Sequence, residues 1–174
     1  MYKKTLRFGL LFYSTVLTSL LISPPGCKGQ QAAPKSIEQM NKEFLIAYTE
    51  DFWNTQNLSA FEKYYSPDFI MHSATGDRNF EQYKALCQGY FTAFPDLHIT
   101  TEDMIAEGDQ VAKRWIMTCT HKGEFMGIPG TGKPISVKGI EIFRIKDGRI
   151  VELWVSMDNL GMLKQLGVIK PGTE

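Results

Sequence analysis

The chain has 174 residues, of which 43% are hydrophobic and 12% aromatic, a composition typical of one folded domain rather than of a disordered chain. Its 19 basic residues balance its 19 acidic ones, and no basic cluster interrupts the balance. This charge distribution argues against a nucleic-acid partner.

Residues 1–26 have the layout of a secretory signal peptide. Three basic residues precede an apolar run over residues 8–22, and a Ser-Pro-Pro sequence ends it. The run has 15 residues, whereas a transmembrane helix needs about 20, so export is favoured over a membrane-spanning anchor. Because this segment holds three positive charges and no negative ones, the rest of the neutral chain carries a net charge of −3.

Residues 27–36 are mostly small and polar, which predicts a flexible tether. Cys27 directly follows Gly26, where a bacterial lipoprotein carries the cysteine that becomes lipidated. Such signals usually have Leu three positions before the cysteine, whereas this chain has Pro24. Two alternatives remain open: a lipoprotein that meets the membrane only through its lipid anchor, and a soluble periplasmic or secreted protein.

Apolar residues at intervals of three and four predict three helices in the first half of the domain. The first begins at Ser36 and ends near Asn54 to Asn57, and the second covers residues 58–65. The third covers residues 79–94 and is stopped by proline. A short strand over residues 68–73 is expected between the second and third helices.

The apolar period changes to two from Leu97 onward, which indicates extended strands. The predicted strands cover residues 97–106, 111–120, 135–146 and 149–157, and a short helix follows over residues 159–166. Glycine-containing turn sequences between consecutive strands favour antiparallel pairing. Gly139, inside the third of these strands, suggests a bend that curves the sheet. We therefore place the domain at residues 37–169, with a tail over residues 170–174.

Other motifs carry little chemistry. Residues 127–133 (GIPGTGK) match the start of a phosphate-binding loop, but Pro134 stands where a magnesium-binding hydroxyl is needed and a strand follows, which favours a turn. The histidines are scattered, so no metal site is predicted. Cys87 and Cys119 are compatible with one disulfide or with two buried thiols.

Several segments resemble the SnoaL-like polyketide cyclases (ester cyclases) of the ketosteroid-isomerase-like, or nuclear transport factor 2-like, superfamily. They are residues 66–72 (SPDFIMH), 94–115 (FPDLHITTEDMIAEGDQVAKRW), 120–154 (from THKGEFMG to IVELW) and 158–169 (DNLGMLKQLGVI). The resemblance implies an α+β fold in which a conical, curved antiparallel sheet wraps around three N-terminal helices and encloses a pocket. It also implies homodimers that form through the outer face of the sheet.

The family's chemistry, as the resemblance implies it, needs no metal or other cofactor. A pocket carboxylate moves a proton next to a carbonyl, and an apolar, water-poor site suits that role. In this chain Val155 stands where the cyclases have their aspartate, and Leu153 where a histidine is common. Glu141 stands at another histidine position and remains ionisable.

The candidate catalytic residues are therefore Glu141, His72 and Asp158. Asp158 is also favoured as the N-cap of the last helix, and His72 is equally well explained as a surface histidine near the pocket entrance. The expected ligand pocket shares one strand face and is lined by Phe143, Ile145, Leu153, Val155 and Met157. Trp115 and Trp154 are expected in the core, and Lys113 as an ordinary strand charge.

The sequence thus predicts an exported domain that binds a small, largely apolar molecule, with cyclase-type or isomerase-type acid/base chemistry. The alternative is a non-catalytic carrier that has kept the cavity and lost the acid/base pair. The apolar residues Val155 and Leu153 are the features that bear on this choice.

Overall fold

The computed structural model describes residues 33–169. The predicted signal peptide, Cys27 and the tail over residues 170–174 lie outside the described residues. Within the described part, no helix is long and apolar enough to cross a membrane.

Four α-helices lie within residues 33–169, and side chains cap the starts of three of them. They are α1 (Ile37–Tyr48), α2 (Phe61–Tyr64), α3 (Phe80–Ala93) and α4 (Asn159–Leu166). The Ser36 side chain caps α1 by accepting a hydrogen bond from the Gln39 backbone N–H, and Asn79 forms a capping box with Gln82 at the start of α3. A π-helical segment, Thr49–Asn54, continues α1, so the first predicted helix ends where expected.

Six strands form one sheet in the order β2-β1-β6-β5-β4-β3. They are β1 (Tyr65–His72), β2 (Arg78–Asn79), β3 (His98–Glu107), β4 (Gln110–Thr120), β5 (Pro134–Lys146) and β6 (Arg149–Met157). The predicted α+β class is confirmed, as is antiparallel pairing from β3 to β6. The sheet is not antiparallel throughout as predicted, since β1 runs parallel to β6; the long connection between these two strands allows this pairing, which a tight turn would not.

The sheet has a buried inner face and a more exposed outer face. Burial alternates strictly along most of β4 and β5, as expected for strands with one side against a core. The inner face packs against α1, the π-helical segment and α3 through a dense group of aromatic rings, including Tyr48, Phe52 and Tyr65.

The loop between β4 and β5 contains the GIPGTGK sequence. A strand, not a helix, begins at Pro134, so the interpretation of this sequence as a turn is confirmed. Cys87 and Cys119 are both buried and free, which decides for thiols rather than a disulfide.

Candidate functional site

The candidate site is built on three paired positions of the inner face. Lys113 of β4 pairs with Glu141 of β5, and Glu141 pairs with Val155 of β6. Directly paired residues point to the same side of a sheet. Two opposite charges and one apolar side chain therefore lie next to each other inside the domain.

Lys113 and Glu141 form a buried ion pair. The Lys113 Nζ atom lies 3.3 Å from Glu141 Oε2, and the side chains are 0% and 11% exposed. Lys113 Nζ also donates to Thr49 Oγ1 at 3.4 Å, and it lies 5.0 Å from the centre of the Phe143 ring. The ammonium group is thus held by one carboxylate, one hydroxyl and an aromatic face.

Lys113 was not expected at this site, and its interpretation as an ordinary strand charge is wrong. The sequence does contain a signal for its position, because Val111, Trp115 and Met117 occupy alternate positions on the same strand and are all buried. A lysine in phase with three buried apolar residues has to point inward as well.

A buried tyrosine lies beside the ion pair, since Lys113 Nζ is 5.7 Å from the centre of the Tyr48 ring. The Tyr48 hydroxyl is hydrogen-bonded to that of Tyr65 and accepts a bond of 2.6 Å from Trp53 Nε1. Burial raises the pKa of Tyr48 well above its ordinary value, and the negative charge of Glu141 raises it further. These phenols therefore stay protonated and do not act as bases near neutral pH.

The neighbouring row of the inner face contains Trp115, Gly139 and Met157, paired in that order across β4, β5 and β6. A Cβ atom at Gly139 would lie only 2.3 Å from Trp115 Cζ2, so the indole ring covers the space that a side chain would need. The Tyr90 hydroxyl of α3 donates to the Met157 sulfur at 3.7 Å. We call the two rows together with Tyr90 the inner site: Tyr90, Lys113, Trp115, Gly139, Glu141, Val155 and Met157.

The five residues predicted to line a pocket all lie on this inner face, but they differ in exposure. Phe143 and Leu153 are 0% exposed and Ile145 is 5% exposed, so they belong to the closed core. Val155 and Met157 are only partly buried. The part of the inner face that solvent reaches is therefore the end that contains Glu141.

His72 does not come together with Glu141. It pairs with Trp154, which pairs with Ile142, and these positions alternate with the inward ones, so His72 lies on the outer face. Its ring stacks on Trp154 with 5.1 Å between centres, and Nδ1 lies 3.1 Å from Asp77 Oδ1. Trp154 was expected in the core, but it lies on the outer face of the sheet.

Asp158 is the N-cap of α4, as the sequence favoured. Its Oδ1 atom accepts a hydrogen bond of 2.7 Å from the Gly161 backbone N–H. Gly161 has no side chain, and a Cβ atom there would lie 2.1 Å from the Asp158 carboxylate. The carboxylate is therefore engaged at the start of the helix.

Two surface grooves lie apart from the inner site. A surface groove of about 610 Å³ is lined by residues that include Glu62, Asn79 and Arg149, and a second of about 450 Å³ includes Asp96 and Gln165. Neither groove is lined by the ion pair. Among residues 33–169, no group of three or more His, Cys, Asp or Glu side chains could hold a metal ion.

Comparison with known proteins assigns the domain to a family. The model of the SnoaL-like polyketide cyclase family matches residues 44–166. No curated protein matches the chain.

Three solved structures resemble this chain in both sequence and fold. AclR from Streptomyces galilaeus, a candidate hydroxylase, is 31% identical with a TM-score of 0.72 over 79% of this chain and 87% of its own. IdmH from Streptomyces antibioticus, a candidate polyketide cyclase, is 34% identical with a TM-score of 0.64 over 73% and 98%. A candidate polyketide cyclase from Acidithiobacillus ferrooxidans is 30% identical with a TM-score of 0.65 over 77% and 99%.

Proposed function

The chain belongs to the SnoaL-like polyketide cyclase family, and on this premise we propose that it binds a small, largely apolar molecule at the inner site and holds it without chemical change. The observation that carries this proposal is the ion pair beside Val155. Glu141 already has a cationic partner, and its neighbour on β6 cannot transfer a proton.

The composition of the inner site supports an apolar ligand. Val155 and Met157 are only partly buried and supply apolar surface, and each Å² removed from water contributes about 25 cal/mol to binding before the costs of association. The charges of Lys113 and Glu141 neutralise each other, so the site has no net charge to attract an ion.

A second function, acid/base chemistry at Glu141, is favoured by one observation. Glu141 is the member of the ion pair that solvent reaches, with 11% of its side chain exposed against 0% for Lys113. A carboxylate beside a bound carbonyl compound could accept a proton from carbon, as cyclase-type or isomerase-type reactions require.

Binding can be tested with the neutral dye 1-aminoanthracene, whose fluorescence rises when it leaves water. We expect saturable binding of one dye per chain. Val155→Phe, which fills the inner site, should weaken that binding at least 10-fold, whereas Ile142→Phe on the outer face should leave it unchanged. Equal binding by both variants would contradict the proposal.

The two functions are separated by the double variant Lys113→Met, Glu141→Gln, because Glu141→Gln alone would leave the Lys113 ammonium buried without a partner. If the protein only binds, affinity should stay the same or rise, because a neutral amide costs less to desolvate than a carboxylate. If Glu141 is a base, turnover of a bound carbonyl compound should fall by about 100-fold or more while affinity remains. The measurements are a dye titration and proton exchange of the carbonyl compound in D₂O.

We also propose that the protein is exported, on the basis of residues 1–26, and that Cys27 carries a lipid. Mass spectrometry of protein from a bacterial host should show loss of the N-terminal segment. Cys27→Ser should release the protein from the membrane fraction; full-length protein that starts at Met1 would contradict export.

We further propose that two copies of the protein form a dimer through the outer face of the sheet. Ile70, Ile140 and Ile142 share this face and are 40%, 53% and 39% exposed. Light scattering should therefore give the mass of a dimer, and Ile140→Lys should give a monomer. A monomeric natural protein at micromolar concentration would contradict it.

A further inference from the structure

The indole N–H of Trp115 is buried without a partner. Trp115 is 4% exposed, and its Nε1 atom has no hydrogen-bond acceptor within residues 33–169. A buried donor left unsatisfied costs about 1 to 3 kcal/mol, so native proteins nearly always pair such groups. This domain does so for Trp53, whose Nε1 donates to Tyr48 at 2.6 Å.

The position of the Trp115 donor depends on Gly139. A Cβ atom at Gly139 would lie 2.7 Å from Trp115 Cε2, the ring atom that is bonded to Nε1. The N–H therefore lies over β5 at Gly139. This position pairs with Met157 and is one row away from Glu141. Any other residue at 139 would push the indole out of this place.

A second weakly satisfied donor belongs to the same region. Among the described residues, Tyr90 OH donates only to the Met157 sulfur, at 3.7 Å, and a thioether is a weak acceptor. Burial raises the pKa of Tyr90 above its ordinary range, so the phenol keeps its proton. Two neutral donors thus lie at one end of the inner site, while its charges are already paired.

From these observations we infer that the Trp115 N–H is a specificity-determining donor that binds an acceptor oxygen of the ligand. This inference rests on the proposed function and narrows it, because the ligand must carry a neutral acceptor such as a ketone or ester carbonyl. A carboxylate would gain the same hydrogen bond but would be buried without a counterion, because the one cation of the inner site, Lys113, is already paired with Glu141.

The test compares 2-acetylnaphthalene with 2-isopropenylnaphthalene, two probes of nearly the same shape of which only the first has a carbonyl. The ¹H–¹⁵N spectrum of the full protein contains one indole signal from each of Trp53, Trp115 and Trp154. Trp115→Phe assigns the Trp115 signal, and backbone-based assignment replaces it if that variant does not fold. The other two indoles serve as internal controls.

We expect the ketone to move the Trp115 indole proton further downfield than the hydrocarbon does, because both probes carry the same aromatic ring and only the ketone accepts a hydrogen bond. Trp115→Phe should weaken binding of the ketone about 10-fold more than binding of the hydrocarbon, because both probes lose the same ring contacts but only the ketone loses a hydrogen bond. If both probes bind equally and move the Trp115 signal equally, the inference fails while ligand binding stands. If neither probe binds, the proposed function fails, and the inference with it.

Discussion

The Nζ atom of Lys113 lies 3.3 Å from Oε2 of Glu141, at directly paired positions of β4 and β5. Removing one member of a buried ion pair leaves the other charge without compensation, which costs about 3 to 5 kcal/mol. We therefore expect Lys113→Met to lower the free energy of unfolding by that amount in urea at pH 7.

The double variant Lys113→Met, Glu141→Gln tests the same relationship. It should recover most of the lost stability, because no unpaired charge remains inside the domain. Lys84→Met is the matched control, since Lys84 forms a comparable pair with Glu62 at the surface and should change stability far less. Additive effects of the two inner substitutions would show that the charges do not interact.

Gly139→Ala should destabilise the domain through the Trp115 ring. The added methyl group overlaps the indole, and overpacking of this kind costs about 1 to 3 kcal/mol. Gly89→Ala in α3 is the control, because a Cβ atom there meets nothing within 4 Å and the substitution should stabilise the helix by about 0.5 to 1 kcal/mol. Urea unfolding measures both, and an equal gain for both variants would contradict the observed packing.

Alkaline pH should destabilise the domain through its buried tyrosines. Burial raises the pKa of Tyr48, Tyr65 and Tyr83 well above the ordinary value. The unfolded chain therefore loses phenolic protons above about pH 10 while the folded protein keeps them, so stability present below this pH is lost as the pH rises. Each such tyrosine adds a slope of about 1.4 kcal/mol per pH unit.

Absorbance at 295 nm follows this ionisation directly. In the folded protein these phenols should ionise only together with unfolding, whereas in urea they should titrate near pH 10. Free titration of all tyrosines in the folded state would contradict the burial of the aromatic core.

The thiols of Cys87 and Cys119 should be inert in the folded protein. Burial raises the pKa of Cys119 to about 12 and that of Cys87 further still, so the reactive thiolate is almost absent at pH 8. Maleimide labelling followed by mass spectrometry should modify both residues only in denaturant. Rapid labelling of Cys87 without denaturant would show that α3 opens.

The strands and helices could be predicted from the sequence because their signals are local. Apolar residues at every second position predict β4 and β5, and the proline after α3 predicts where that helix ends. The structure has these elements within a few residues of the predicted bounds. The parallel pairing of β1 with β6 could not be predicted in this way, because it joins segments that no short turn connects.

The site was only partly predictable. The strand alternation that places Glu141 inside also places Lys113 inside, but a single lysine among apolar residues was taken as a surface charge. Of the two interpretations of His72, the structure favours the surface histidine, because His72 alternates with the buried residues Phe69 and Met71 and therefore takes the outer face. The orphaned N–H of Trp115 depends on ring orientation over Gly139, which no sequence pattern encodes.

Native mass spectrometry of the purified protein and of its Val155→Phe variant tests whether the inner site holds a ligand. We expect the natural protein to carry one small molecule per chain, either co-purified or taken up from added 2-acetylnaphthalene, and to release it on denaturation. The variant should carry at least 10-fold less, because its added ring occupies the inner site next to Glu141. A natural protein that stays at the mass of the bare chain in excess 2-acetylnaphthalene would contradict a ligand site at this position.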